Sequence, residues 1–406
     1  MRAIRIVCAT VFVAFVGARS SAVAQRRDVL SWDDVVVLAR RQGPAVVAAR
    51  AGLGEARARV AGARALLPDN PTLFAGAGPR WGAGPVALDV EAGISQRVGL
   101  GGGRGDRLAA ARAHVESARL GVQDAARRAI FEAAEQFVHA VHARERVTAA
   151  ADTEREALRL LDVAERRAAA GDGTGIDVQL ARASLAAARS DVSAARAESA
   201  IALAGLRIAL DLDEGRLAGV AGDVPIDGDA PISSTPGGRP GVRALRSLAT
   251  EADASARASA AARWPALELG VSWLRERDEM AVVGSLAIEL PLFARAQGET
   301  AEALARAGRL RTEARTLSRV ASARAAGSRS ALSDARVAAT EAQSAVAALV
   351  DAEQLAMRAW TAGELRLPDA LAIRRLRVEA NASLLDRRRE AGLLLARLML
   401  DDEVSR

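Results

Sequence analysis

Three groups of residues have types and spacing that could do chemistry. His139 and His142 stand i, i+3 in a helical stretch, where two imidazoles can share one divalent ion. No cysteine lies near them, the neighbouring acids alternate with arginine, and His114 is remote. The pair is expected on a solvated helix face, and no metal site is expected. Gly99-Leu100-Gly101-Gly102-Gly103-Arg104-Gly105 has the glycine density of a phosphate-cradling loop, but it lacks the Lys-Ser/Thr of that motif and a dinucleotide-fold context. It is expected to be a bend from strand to helix, because Pro291 and Gly298 bracket the equivalent place further along. The third group is Gly171 with Asp177 and Gly363 with Asp369, six residues apart in both places. Each marks the reversal of a helical pattern. The aspartates fit as caps of the returning helices, and a symmetric assembly would also gather several such acids into a ring. No Ser/His/Asp constellation and no carboxylate pair in an apolar setting is present, so neither catalysis nor a cofactor is expected.

The elements that position these residues come in two copies. Pro71 is followed 25 residues later by Gln96, and Pro265 by Leu290. Both intervals read as two alternating strands leading into a long Ala-, Arg- and Glu-rich helical stretch. The strand offset between copies is 194 and the helix-turn offset 192. Two strand–strand–helix–helix units therefore fill the chain, and such repeats restrict architecture more than composition does.

In each copy the strands alternate. Val86, Leu88, Val90, Ala92 and Ile94 oppose Asp89, Glu91, Gly93 and Ser95, with residues 81–85 as the turn. Leu267, Leu269, Val271 and Trp273 oppose Glu268, Gly270 and Ser272; after a turn at 275–279, Met280, Val282, Gly284, Leu286, Ile288 and Leu290 share a face. The strands are expected at 72–81, 86–98, 265–275 and 279–293. These lengths suit a tilted strand crossing a bilayer. Phe74, Trp81, Trp264, Trp273 and Phe293 sit in or at the ends of these segments, where an interfacial aromatic girdle places its rings. A half-buried soluble sheet is the other reading of the alternation alone.

A first helix is expected over 31–66, capped by Ser31 and ended by Pro68 and Pro71. The first helical hairpin is expected over 104–212, with Leu108, Val115, Val122 and Ala129 seven apart and alanines between them. The second is expected over 299–400. Residues 25–218 form the first repeat, 219–241 a Gly-, Pro- and Asp-rich linker, and 242–406 the second repeat.

The amino terminus reads as a secretory signal over 1–24. Arg2 and Arg5 precede an apolar run of 12 residues from Ile6 to Gly17, too short to span a bilayer. Ala22-Val23-Ala24 then offers a cleavage site before Gln25; an uncleaved anchor is the alternative. The only cysteine, Cys8, follows Arg5-Ile6-Val7, which lacks the residues of a lipidation signal, so no lipid anchor and no disulfide are expected. The formal charge of +6 falls to +3 when residues 1–24, with three arginines and no acid, are removed. With bases and acids interspersed and no aromatic-interleaved basic stripe, nucleic acid is not an expected partner. No later stretch is apolar enough for a transmembrane helix, leaving periplasmic, secreted or outer-membrane β-barrel classes.

Two strand–strand–hairpin units behind a signal peptide resemble the TolC-like outer-membrane efflux factor family over nearly the whole mature chain. Asn70-Pro71-Thr72-Leu73, Ile94-Ser95-Gln96 and Gly102-Gly103-Arg104 carry the resemblance in the first copy. Leu290-Pro291-Leu292-Phe293 and Gly298 carry it in the second. The turns add Gly171 with Asp177-Val178-Gln179 and Ala181-Arg182, and Gly363 with Asp369. The resemblance implies a mainly α fold with a small β part. In it, a homotrimer builds one 12-stranded outer-membrane barrel from four strands per protomer, above a periplasmic helical tunnel with a girdle around its middle. It also implies a passive conduit served by a periplasmic adaptor and an inner-membrane pump of the resistance-nodulation-division type. Asp177 matches a position in the family's tunnel-closing polar network, and Gly171 and Gly363 match the tip turns. Ala372 stands where members with a second acid ring carry Asp, which argues against a double filter here. The compact length and Gly102-Gly103-Arg104 resemble the cobalt–zinc–cadmium efflux branch. A soluble periplasmic coiled-coil adaptor or structural protein is the alternative function.

Overall fold

The computed structural model describes residues 28–67, 69–81, 86–224, 226, 238–276 and 279–401. The expected signal segment with Cys8 and Gln25, Pro68, the turn at 82–85, most of the linker and the turn tip at 277–278 lie outside these residues.

The chain opens with β1 (Asp28–Leu30), α1 (Trp32–Gln42) and α2 (Pro44–Ala63). The expected first helix is thus two helices. Pro44 has no N–H and its ring disfavours a helical residue before it, so Gly43 takes φ −52°, ψ 135° and α2 starts afresh with Pro44 in its first turn. Ser31 and Asp34 close α1 with a capping box, the Ser31 hydroxyl donating to Asp34 Oδ2 at 2.6 Å.

β2 (Thr72–Arg80) and β3 (Ala87–Gly99) lead to α3 (Arg104–Ala170), which α4 (Gly175–Ala209) answers as an antiparallel partner. After β4 (Leu217–Val220), α5 (Pro240–Ala260) begins the second copy; β5 (Ala266–Glu276) and β6 (Glu279–Glu289) lead to α6 (Gln297–Thr361) and α7 (Leu367–Asp401). β6 ends before Pro291, four residues short of the expected limit at 293, because proline cannot donate to a ladder. Gly102 and Gly103, at φ +78° and +41°, turn β3 into α3, as the bend reading of this run required.

α3 and α6, of 67 and 65 residues, extend about 100 Å each. They span two levels of the molecule. Near the strands α3 packs on α2 and α5, and α6 on α5; farther away the partners are α4 and α7. The seams are alanine-rich, with Ala157, Ala164, Ala181, Ala188, Ala307, Ala314, Ala356 and Ala370 buried, and small side chains let the axes approach. A strap across the middle of α3 is made from α1, the parallel pair β1–β4 and the segment after β4. Phe137 and Trp32 meet edge-to-face there at 5.6 Å, among Val35, Val138, Val141, Leu206 and Leu210.

The four long strands form one antiparallel sheet in the order β2-β3-β5-β6. Ile94 lies opposite Leu73 and Val271, Val271 opposite Gly284, and Trp273 opposite Ala92 and Val282. Since directly opposed residues share a face, one side collects Leu73, Val90, Ile94, Leu269, Val271, Trp273, Val282, Leu286 and Ile288. The other collects Asp89, Glu91, Arg97, Glu268, Ser272, Ser285 and Glu289. Arg80 binds Asp89 at 2.7 Å and Glu276 at 2.8 Å on the polar side, and Arg97 pairs there with Glu289. The apolar side is open: Leu73 is 81 % and Val282 73 % exposed in the single chain.

Candidate functional site

The site has two parts, the strand wall and the far ends of the hairpins. In the wall, Trp273 lies on the apolar face, with Trp81 just past β2 and Trp264 and Phe293 at the opposite, helix-side end. Phe74 departs from the expected girdle. It stands opposite Gly93, in the row of Ser272 and Val283, and therefore on the polar face. Its ring covers Gly93, where a Cβ would come within 2.4 Å of Phe74 Cζ. Strand alternation decides this, because Phe74 and Trp273 fall in adjacent rows and so on opposite sides.

At the hairpin ends Gly171 and Gly363 both take φ +83°, the left-handed conformation that ends a helix and that glycine adopts without strain. The Asp177 N–H bonds Thr174 Oγ1 at 3.2 Å, while Asp177 Oδ2 accepts from the Thr174 N–H at 3.1 Å. Asp177 is thus the fourth member of a capping box rather than the cap itself. Asp369, in the first turn of α7, holds Arg366 at 3.1 Å.

The structure joins the two hairpin ends through residues that sequence reasoning missed. Arg167, one turn before Gly171, donates to the Trp360 carbonyl at the end of α6 and to the Asp172 carbonyl at 3.1 Å. Its guanidinium also lies 5.3 Å from the centre of the Trp360 ring. Trp360 is only 3 % exposed and packs among Leu160, Ala164, Ala181, Leu367 and Ala370, one residue set drawn from all four hairpin helices. Two turns farther in, Arg374 is buried and donates to the Thr153 carbonyl at 2.9 Å and to Glu156 at 3.2 Å. Arg377 reaches Glu156 at 2.6 Å and also pairs with Glu353. The signal for the first latch was a tryptophan three residues before Gly363, far from any strand, in a chain with only five tryptophans.

The histidines also differ from expectation. His142 is 2 % exposed rather than solvated, because its side of α3 faces α7; Nε2 lies 3.1 Å from Asp386 Oδ1. His139 is half-buried, and His114 contacts Glu251 at 3.0 Å. Among the described residues no group of three or more His, Cys, Asp or Glu side chains could hold a metal ion. Burial, with Arg389 nearby, holds the His142 pKa below the usual histidine value, and burial raises that of Glu145, whose Oε2 has no partner among the described residues. These shifts act oppositely. Below about pH 6.5 the unfolded chain binds a proton that folded His142 resists, so His142 costs stability as pH falls. Glu145 costs stability at neutral pH, and the cost vanishes as it protonates. Melting curves are expected to show His142→Gln gaining on the parent protein as pH drops from 7.5 to 5.5. Glu145→Gln should instead hold its advantage at pH 7.5 and lose it on acidification.

The sheet, the paired hairpins and the strap together define a fold that several solved structures share. Residues 35–211 match the family model described as outer membrane efflux protein. Among solved structures, CusC superposes at a TM-score of 0.77 with 18% identity, covering 91% of both chains. The outer-membrane channel OprN gives 0.76 with 19% identity, over 91% of this chain and 89% of that one. The Campylobacter jejuni outer membrane channel CmeC gives 0.74 with 16% identity, over 91% and 85%. No curated protein matches the sequence. Residues 35–211 are thus similar to outer membrane efflux proteins, and the chain as a whole has the TolC-like fold.

Proposed function

We propose that the protein is the outer-membrane channel of a tripartite efflux system in a Gram-negative cell. Three copies would contribute four strands each to a 12-stranded barrel, with the hairpins forming a tunnel through the periplasm. The observation that carries this reading is the two-sided sheet: its apolar face is open in the single chain, and its polar face holds acids and arginines. A lone four-stranded sheet would leave that apolar face and two edges unpaired, whereas closure around a threefold axis turns one face to lipid and leaves no edge. No helix of the described residues is long and apolar enough to cross a membrane, so on this reading the strands do the spanning.

The conduit performs no chemistry of its own. An inner-membrane pump, of the resistance-nodulation-division type, supplies the energy, and a periplasmic adaptor meets the hairpin ends. The cargo is small molecules or metal ions; the branch exporting heavy metals is the one that Gly102-Gly103-Arg104 favours. A wide conduit need not coordinate its cargo, so the histidines have no part in this reading.

Purified protein in a planar bilayer tests the proposal: discrete, long-lived conductance steps are expected. A soluble periplasmic coiled-coil adaptor would give none and would remain monodisperse without detergent. Asp177→Ala is expected to raise the single-channel conductance if Asp177 helps close the tunnel. An unchanged conductance with a lower melting temperature would assign it to helix capping alone.

A further inference from the structure

The small net charge conceals a steep gradient along the tube. The helical segments nearest the strands are α2, residues 104–130 of α3, α5 and residues 297–333 of α6. Together they carry 19 arginines against nine acids. The remaining parts of α3 and α6, with α4 and α7, carry 19 arginines against 20 acids. A collar of about ten excess positive charges per chain therefore lies directly below the strands.

The collar is most concentrated on α6. Arg306, Arg309, Arg311, Arg315, Arg319, Arg324 and Arg329 are all exposed, and Glu313 is the only acid between 303 and 333. Arg309 pairs with Glu313 and Arg311 with Asp253. Among the described residues no acid pairs with Arg315, Arg319 or Arg329. Arg311, Arg315 and Arg319 follow one another at i, i+4 and i+8, a spacing at which like charges repel along a helix face. Among the described residues only Asp253, paired with Arg311, offsets that repulsion.

The direction of this stripe follows from the strap. Arg329 is five helical turns beyond Arg311, and Arg336 two turns beyond Arg329, so the three share one flank of α6. Arg336 Nε donates to the Ile226 carbonyl, in the segment after β4, at 2.8 Å. The strap thus lies on the arginine flank, and a strap wraps the outside of a tube. Distance then selects the occupant. From the start of α6 at Gln297, Arg315 lies about 27 Å and Arg329 about 48 Å along the axis. Lipid headgroups extend only about 5–8 Å beyond the hydrocarbon on each side.

We propose that this outer arginine stripe docks an anionic polymer of the periplasm, with carboxylates repeated along its length: the peptide stems of the cell wall. The inference rests on the outer-membrane reading, and the experiment separates the two. Detergent-solubilised protein is sedimented with purified cell-wall sacculi, with sacculi whose carboxylates have been amidated, and with vesicles of anionic phospholipid. The triple variant Arg315→Gln/Arg319→Gln/Arg329→Gln is run beside the parent protein, and both are checked for bilayer conductance. The proposal expects the parent to pellet with native sacculi, to bind amidated sacculi at least fivefold less, and to be released by moderate salt. The triple variant should conduct normally yet pellet at least fivefold less with native sacculi. Equal sedimentation of variant and parent, undiminished binding to amidated sacculi, or a variant defect confined to vesicles would each overturn it. Absence of conductance from the parent would instead overturn the channel reading.

Discussion

Arginine at position 282 is expected to cripple assembly into membranes, while arginine at position 283 is tolerated. Both positions hold valine, both lie mid-strand in β6, and they differ only in face. Val282 stands opposite Trp273 on the apolar side; Val283 stands opposite Ser272 on the polar side. A charge facing lipid near the bilayer midplane costs about 2–4 kcal/mol, whereas a lumen-facing one costs little. Val282→Arg should therefore lower the folding equilibrium in bilayers by a factor of about 30 to 1,000, and three copies per barrel multiply the effect. Val283→Arg should assemble normally and alter ion conduction instead. Heat-modifiable mobility on gels after folding into vesicles reads the difference. Equal behaviour of the two variants would contradict a lipid-facing wall.

The second large effect is expected at Trp360. Removing a buried tryptophan costs about 3–5 kcal/mol, and Trp360→Ala also takes away the ring beneath Arg167. The loss falls on the hairpin ends alone. Farther in, Arg374 and Arg377 still bind Glu156 across α3 and α7, and farther still Phe137 anchors the strap. The expected result is a channel that still assembles, with hairpin ends that open more readily and a higher single-channel conductance. Arg167→Gln should move conductance the same way by less, since it removes a cation–π contact of about 0.5–2 kcal/mol and leaves the core filled. Limited proteolysis near 171 and 363 should accelerate in both. Wild-type conductance in Trp360→Ala would show that the latch does not hold the passage.

The two-copy architecture was legible because period-two alternation at 72–98 and 265–290 and the Gly-to-Asp spacings are local patterns that sequence displays. The same alternation held the correct face for Phe74, but proximity to a strand end overrode it in the girdle expectation. Parity along the strand was the stronger signal. The Gly43-Pro44 break is equally local, but apolar residues continue on both sides of it and mask it. What sequence did not display was partnership across helices. His142 looked like any surface histidine on α3 until α7 was laid against it, since its burial comes from residues 244 positions away. The arginine collar does not show in the net charge of the chain, because it exists only along the axis that the fold creates. Arg167 and Trp360 meet only because two hairpins of nearly equal length end side by side.

The proposed channel needs three chains to close one barrel, and native mass spectrometry of the detergent-extracted protein tests that directly. It predicts a single dominant species of three mature chains that persists when the detergent is exchanged and is lost in Val282→Arg. A monomer that stays dispersed without detergent would contradict it.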